Sequence, residues 1–192
     1  MAKIGLDSFR YSPLTEAADG TVTYKGAKSL GKAIDCKVSI EKYSAELYAD
    51  NSLAESDNTF KKGTATLGVD EDDDTVFSEL LGHEIDSETN EMIRKTTDVA
   101  PYVGMGRILT KVVNGVYKYK VEFLPKVKFS EPEQEETTKG DNVEFKTPSI
   151  EGSVIALKNG IWSRCKTFAD RDAALKYLEG LLAAPTSQPA EN

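Results

Sequence analysis

The chain has 192 residues, enough for one well-filled core, and its 39% hydrophobic and 29% charged residues are an ordinary globular mixture. Acids outnumber bases 32 to 24, a formal net charge of −8; this opposes gripping nucleic acid, which relies on Lys and Arg to neutralise phosphates, but not letting it slide past. No apolar run approaches the about 20 residues of a membrane-spanning helix, and the opening MAKIGLDSFRYSPLTEA lacks a signal-peptide core, so folding is expected in a cytoplasm.

In chain order, residues 33–41 alternate, with Ile34, Cys36, Val38 and Ile40 on one face and Asp35, Lys37, Ser39 and Glu41 on the other. A period of two predicts a strand with one buried face and makes Cys36 a small buried residue. A disulfide to Cys165 needs the fold to bring the two together, and a reducing compartment disfavours it. The apolar phase then shifts to Tyr43, Ala45 and Leu47, predicting a bulge or bend near Glu41 and Lys42. After the polar stretch ADNSLAESDNT the strand resumes at Ala65, Leu67 and Val69. This predicts a long hairpin whose loop, about 44–63, is too polar to fold onto its own core.

DEDDDTVFSELLG follows. Asp73 or Asp74 caps a short helix there, Phe77, Leu80 and Leu81 share one face, and Gly82 stops it. Residues 91–96 predict a short strand. The strongest local signal is 107–123, centred on Asn114-Gly115, a pair suited to a type I′ turn. That turn fixes the register. Val113 faces Val116, Val112 faces Tyr117, Thr110 faces Tyr119, Ile108 faces Val121 and Arg107 faces Glu122; Lys111 opposite Lys118 is the mismatch, tolerable if solvated or met by a partner's acid. A second hairpin is expected from 153–157 through Asn159-Gly160 to 161–166. Between the two, EPEQEETTKGDN (131–142) is an acidic loop of low hydrophobicity. A closing helix begins near Asp170, with Ala174, Leu175, Leu178, Leu181 and Leu182 in one stripe, and Pro185 ends it. The expected fold is mainly β and antiparallel, one domain over 1–184, with a short internal helix, a C-terminal helix and a disordered tail at 185–192.

The chemistry-bearing motifs fail on inspection. His83 is the sole histidine, and His83-Glu84 begins like HExxH but has Ser87 where the second His belongs, so it reads as a surface or helix-end residue. Asp70, Asp72 and Asp74 copy the first ligand positions of a calcium loop, yet Thr75 and Leu81 replace its Gly and Glu; helix capping is the better reading. Gly104-Met105-Gly106 has Leu109 in place of the third glycine of a dinucleotide fingerprint and leads into a hairpin. Neither Ser29 nor Ser153 lies in GxSxG, and Glu135 with Glu136 lacks an apolar wall to shift a pKa. No catalytic residue, cofactor or metal ligand is expected, and the chain is not read as an enzyme.

Charge, by contrast, is segregated. Residues 70–91 carry net −10, 107–128 net +5 and 129–144 net −5. Most charge runs are solvated faces; the alternative is head-to-tail assembly of a basic patch on an acidic one.

Taken in order, AELYADNSLAESDNTFKKGTATLGVD, LLGHEID, DVAPYVGMG, KVVNG, FLPKVKFSEPEQEETTKG and VEFKTPSIEGSV resemble the major tail protein (tail tube protein) family of long-tailed, non-contractile phages, over about residues 3–184. The resemblance implies a β-sandwich or partial barrel flanked by helices, forming hexameric rings that stack into a hollow tube. It also implies a terminator, a tape measure and a tip complex as partners, with DNA passing through the bore unbound, and a place in the virion after assembly in the host cytoplasm. By that analogy the hairpin tip, with Tyr48, Asp50, Asn51, Glu55 and Asp57, reaches a neighbouring ring. The loop bearing Glu133, Glu135 and Glu136 and the N-terminal arm are further contact candidates. The charge pattern adds Lys111, Lys118 and Lys120, expected to dock on a neighbour's acids, and expects acids to line the bore. The alternative is a β-sandwich binding module, such as a host-surface carbohydrate binder using Trp162, Tyr43, Tyr48 and Tyr102.

Overall fold

The computed structural model describes residues 2–43, 45–49, 52–57, 59–70, 73–133 and 147–183, with the backbone alone at 2–3, 45–49 and 52–57. Its strands are β1 (Ala2–Glu16), β2 (Val22–Tyr24), β3 (Lys28–Ser29), β4 (Ala33–Lys42), β5 (Ala45–Ala49), β6 (Ser52–Asp57) and β7 (Phe60–Val69). After helix α1 (Asp74–Leu81) come β8 (Glu84–Ile85), β9 (Met92–Ile93), β10 (Tyr102–Val113), β11 (Val116–Ser130), β12 (Ser149–Val154) and β13 (Arg164–Phe168), then helix α2 (Arg171–Leu181). The fold is mainly β, and its strand pairs are antiparallel. The main sheet runs β2-β1-β10-β11-β12-β7-β4, with β3 added on β1 and β13 on β11. Its two flanks curl until β1 and β4 approach one another without pairing, which leaves a partial barrel.

The β10–β11 hairpin forms the centre. Asn114 and Gly115 have φ of 52° and 77°, the left-handed pair that a type I′ turn requires. Every expected cross-strand partner is found, Lys111 opposite Lys118 included. The hairpin separates two cores. Ile108, Val121 and Phe123 pack against Ala174, Leu178 and Leu182 of the α2 region. Met105 and Leu124 join Phe9, Tyr11, Leu67, Ile150 and the apolar face of α1 in the other. Gly104 and Gly106 make the first packing feasible, since a Cβ at Gly106 would collide with Leu178 and one at Gly104 with Tyr24.

Both helices start and stop for local reasons. Asp73 accepts from the Thr75 amide at 2.8 Å, and Gly82, at φ 81°, closes α1. Asp170 accepts from the Ala173 amide at 2.9 Å, and α2 ends at Leu181 with Leu182 as its C-cap, before Pro185.

Three expectations are corrected. Ile34 is 46% exposed, because the β4–β7 register shifts between Ala33 and Asp35 and throws it out as a bulge; the bulge expected near Glu41 and Lys42 is present. The second hairpin does not form. β12 pairs with β11 at 127–130 and β13 at 119–123, end to end along one edge. Gly160 has φ 82° but Asn159 is not left-handed, so the type I′ turn is missing and Leu157 instead donates to the Ile161 carbonyl at 2.9 Å. Finally, the N-terminal segment, expected as an arm, is a strand within the sheet. Ser8, at φ 54°, sits in a register shift between Asp7 and Arg10, and this switches the alternation so that Phe9 and Tyr11 are buried.

Candidate functional site

The basic end lies at the turn of the central hairpin. Register places Lys3, Lys111 and Lys118 on one line across β1, β10 and β11. Like charges directly opposite repel, and Lys111 and Lys118 make no ion pair among the described residues. Val116 and Tyr117, beyond the cover of α2, are 58% and 57% exposed. Lys120 is different: its ammonium lies 2.5 Å from Glu122 Oε1. Its ammonium is thus paired within the chain, unlike those of Lys111 and Lys118.

Behind that end lies a buried charge cluster. Arg107 is 7% exposed and meets Glu122 Oε2 at 2.7 Å, while its other terminal nitrogen contacts Cys36 Sγ. Its Nε has no partner among the described residues. Burial alone would raise the Glu122 carboxyl, but the Lys120 and Arg107 cations hold it below the usual range. Burial also pushes the Cys36 thiol up, against the pull of Arg107. Cys165, the cross-strand partner of Glu122, is exposed, and both cysteines are free. The cluster fixes β4 against β10 and β11. A buried ion pair of this kind is costly to break by removing one partner, because the other charge is left buried and unpaired.

At the far end of the same strands sits His83, which follows the α1 cap. It is a helix-end residue as expected, but not a surface one: its side chain is only 5% exposed. Nδ1 lies 2.8 Å from Asp98 Oδ2 and Nε2 lies 2.5 Å from Glu131 Oε1. The Lys95 amide first, then His83, hold the Asp98 carboxyl below its ordinary range. The ring thus ties the loop before β10 to the residue after β11, the start of the acidic segment. The adjacent β8–β9 pair exposes Glu88 and Glu91, and Glu133 is exposed beyond Glu131. Sequence reasoning missed this bridge because Asp98 and Glu131 carry no spacing that links them to His83.

The polar hairpin is an arm. Pairing continues from Lys42 opposite Phe60, through the Tyr43 amide to the Thr59 carbonyl at 2.8 Å, to Ala45 opposite Asp57, and β5–β6 form their own two-stranded sheet. Main-sheet pairing resumes at Phe60, so the arm is shorter than the expected 44–63. Tyr48, Glu55 and Asp57 have their backbone on this arm. Asp50 and Asn51, and Glu135 and Glu136 of the acidic loop, lie outside the described residues.

Other expected residues scatter. Asp70 accepts from the Lys32 amide at 2.8 Å and pairs with its ammonium at 3.0 Å, while Asp72 lies outside the described residues. Trp162 stacks on Phe60 at 4.7 Å against the core. Tyr43 and Tyr102 are exposed, the latter beneath the Lys126 ammonium at 4.5 Å. A polar cleft of about 400 Å³ lies in the β1–β4 seam, lined by Asp7, Ser8, Arg10, Lys32 and Asp70. Its charges pair within the chain: Asp7 with Arg171 at 2.6 Å, and Arg10 with Glu179 at 3.4 Å.

A scan against protein-family models returns no match. A search of curated proteins returns none either.

Proposed function

We propose that this chain is a self-assembling structural subunit. The narrower reading is the major tail tube subunit of a long-tailed, non-contractile phage. It forms hexameric rings that stack into a hollow tube, works with a terminator, a tape measure and a tip complex, and lets DNA pass without specific binding. The observation that carries this reading is a sheet with open edges and a projecting arm. Among the described residues, nothing pairs with the outer edge of β4 or with the free side of β1 over residues 2–7. Unpaired edges are templates for further strands, and a soluble monomer ordinarily covers them. The β5–β6 arm leaves the main sheet instead of thickening its core. The sequence resemblance supplies the particular class, and the net charge of −8 suits a wall that repels phosphates.

The test is negative-stain electron microscopy of the concentrated protein. Hollow filaments or stacked rings are expected. A dispersed monomer at every concentration, with selective binding on a glycan array, would replace this reading with a carbohydrate-binding module.

A further inference from the structure

The two ends of the central hairpin carry opposite unmet charge. At one end Lys111 and Lys118 stand opposite each other, with Lys3 on the same register line. A cross-strand pair of like charges destabilises an isolated sheet. Neither of the two has an acid partner among the described residues, and the exposed Val116 and Tyr117 beside them form an apolar rim. At the other end, the β8–β9 pair and the exit of β11 expose Glu88, Glu91 and Glu133 without ion pairs among the described residues, against two cations likewise without an acid partner, Arg94 and Lys128, the latter lying over the Tyr102 ring. From Tyr102 to Lys111 the strand rises about 30 Å, so the two patches cannot satisfy each other within one molecule.

We infer that the Lys111–Lys118 end of the hairpin docks onto the Glu88–Glu91–Glu133 end of a second copy, ordering copies head to tail along β10. The inference rests on the self-assembly reading above and names its axial contact. Each copy presents both complementary surfaces, so the contact is heterologous: such contacts close into rings or run on as filaments, and an axis along β10 gives the filament. The occupant is a second copy, because every copy carries at the opposite end of its hairpin the acidic surface that matches these lysines, whereas an overall excess of acids, net −8, is the reverse of what phosphate binding needs.

The experiment is sedimentation velocity over a concentration series at about 50 mM salt, where exposed charges are less screened than at physiological ionic strength. It compares the wild type with Lys111→Glu/Lys118→Glu, and with a control of equal charge change elsewhere, Lys25→Glu/Lys176→Glu. Matching thermal melts establish that all are folded. The reversal should raise the concentration needed for assembly at least about tenfold, an interface charge clash of ordinary size. The control should leave it near the wild-type value. Adding Glu88→Lys, Glu91→Lys and Glu133→Lys to the reversed chain should restore assembly. Wild-type assembly by the reversed chain overturns the docking surface while leaving the self-assembly reading intact, and so does failure of the compensating change. Loss of double-stranded DNA retention without loss of assembly would assign the lysines to phosphate and equally overturn it. A wild type that never assembles removes both.

Discussion

Arg107 and Glu122 meet where a register line of the central hairpin passes inside the barrel, and their pairing was readable from the Asn-Gly turn alone. What the line of residues could not reveal is the third party, Cys36 on β4, or the commitment of Lys120 to the same carboxylate. The cluster predicts acid sensitivity. Burial tends to raise the carboxyls of Glu122, Asp7 and Glu79, but Lys120 with Arg107, Arg171 with Ser8, and Lys28 with Tyr11 respectively bring each below its ordinary range. A folded-state pKa below the unfolded value, about 4 for these groups, contributes stability that is present above the unfolded pKa. That stability is lost as the pH falls through the folded value. The urea midpoint should therefore drop as pH is lowered from about 5 to about 2, and drop less steeply in Glu122→Gln. At neutral pH the same variant should cost about 3 kcal/mol, because it leaves Arg107 buried without its counter-charge. A variant with the wild-type profile would show that the pair contributes nothing.

Between elements, the informative link is His83. It joins the α1 cap, the loop before β10 and the exit of β11 through Asp98 and Glu131. Replacing it with Ala should leave α1 intact, since Asp73 and Gly82 cap that helix by themselves. The segment entering the acidic loop loses its tie, and hydrogen exchange at residues 129–133 should quicken by about tenfold. Unchanged exchange there would mean that β11 pairing alone holds the exit. The elements themselves were legible to different degrees. Both helices, the central hairpin and the Glu41–Lys42 bulge were readable because their signals are local: a capping aspartate, a left-handed glycine, a turn dipeptide, a phase shift. β1 was not, because its bulge at Ser8 breaks the alternation that marks a strand. The second hairpin was misread for a related reason. Asn159-Gly160 is a turn in sequence, but β11 is long enough to accept β12 and β13 one after the other, so the two strands never needed each other.

For the whole molecule, the partition is between what folds the barrel and what projects from it. The β5–β6 arm pairs with itself and belongs to no part of the main sheet. Replacing residues 46–56 with a two-residue Asn-Gly turn should leave the thermal midpoint within about 3 °C of the wild type, the shift expected of less than about 1 kcal/mol in a chain of this size. Assembly, followed by negative-stain microscopy, should fail. Normal tubes from the shortened chain would take the arm out of the contact set. Of the expected contact residues, the fold puts Lys111 and Lys118 at one end, Glu133 at the other and the backbone of Tyr48, Glu55 and Asp57 on the arm. In sequence the facing lysines followed from the turn and the arm from its polar stretch, whereas the position of Glu133 at the opposite end showed only as alternating blocks of charge.

The sequence by itself determined the antiparallel class, the register of the central hairpin, the helix ends and the segregation of charge. Each depends on residues within a few positions of one another or on a simple count. Only the tertiary structure decided that β1 runs beside β10 and that β12 and β13 share an edge. It alone showed that Gly104 and Gly106 make room for Tyr24 and Leu178, and that His83 lies between two carboxylates. Those arrangements join residues tens of positions apart, and packing chooses among long-range pairings that the local pattern leaves equally open.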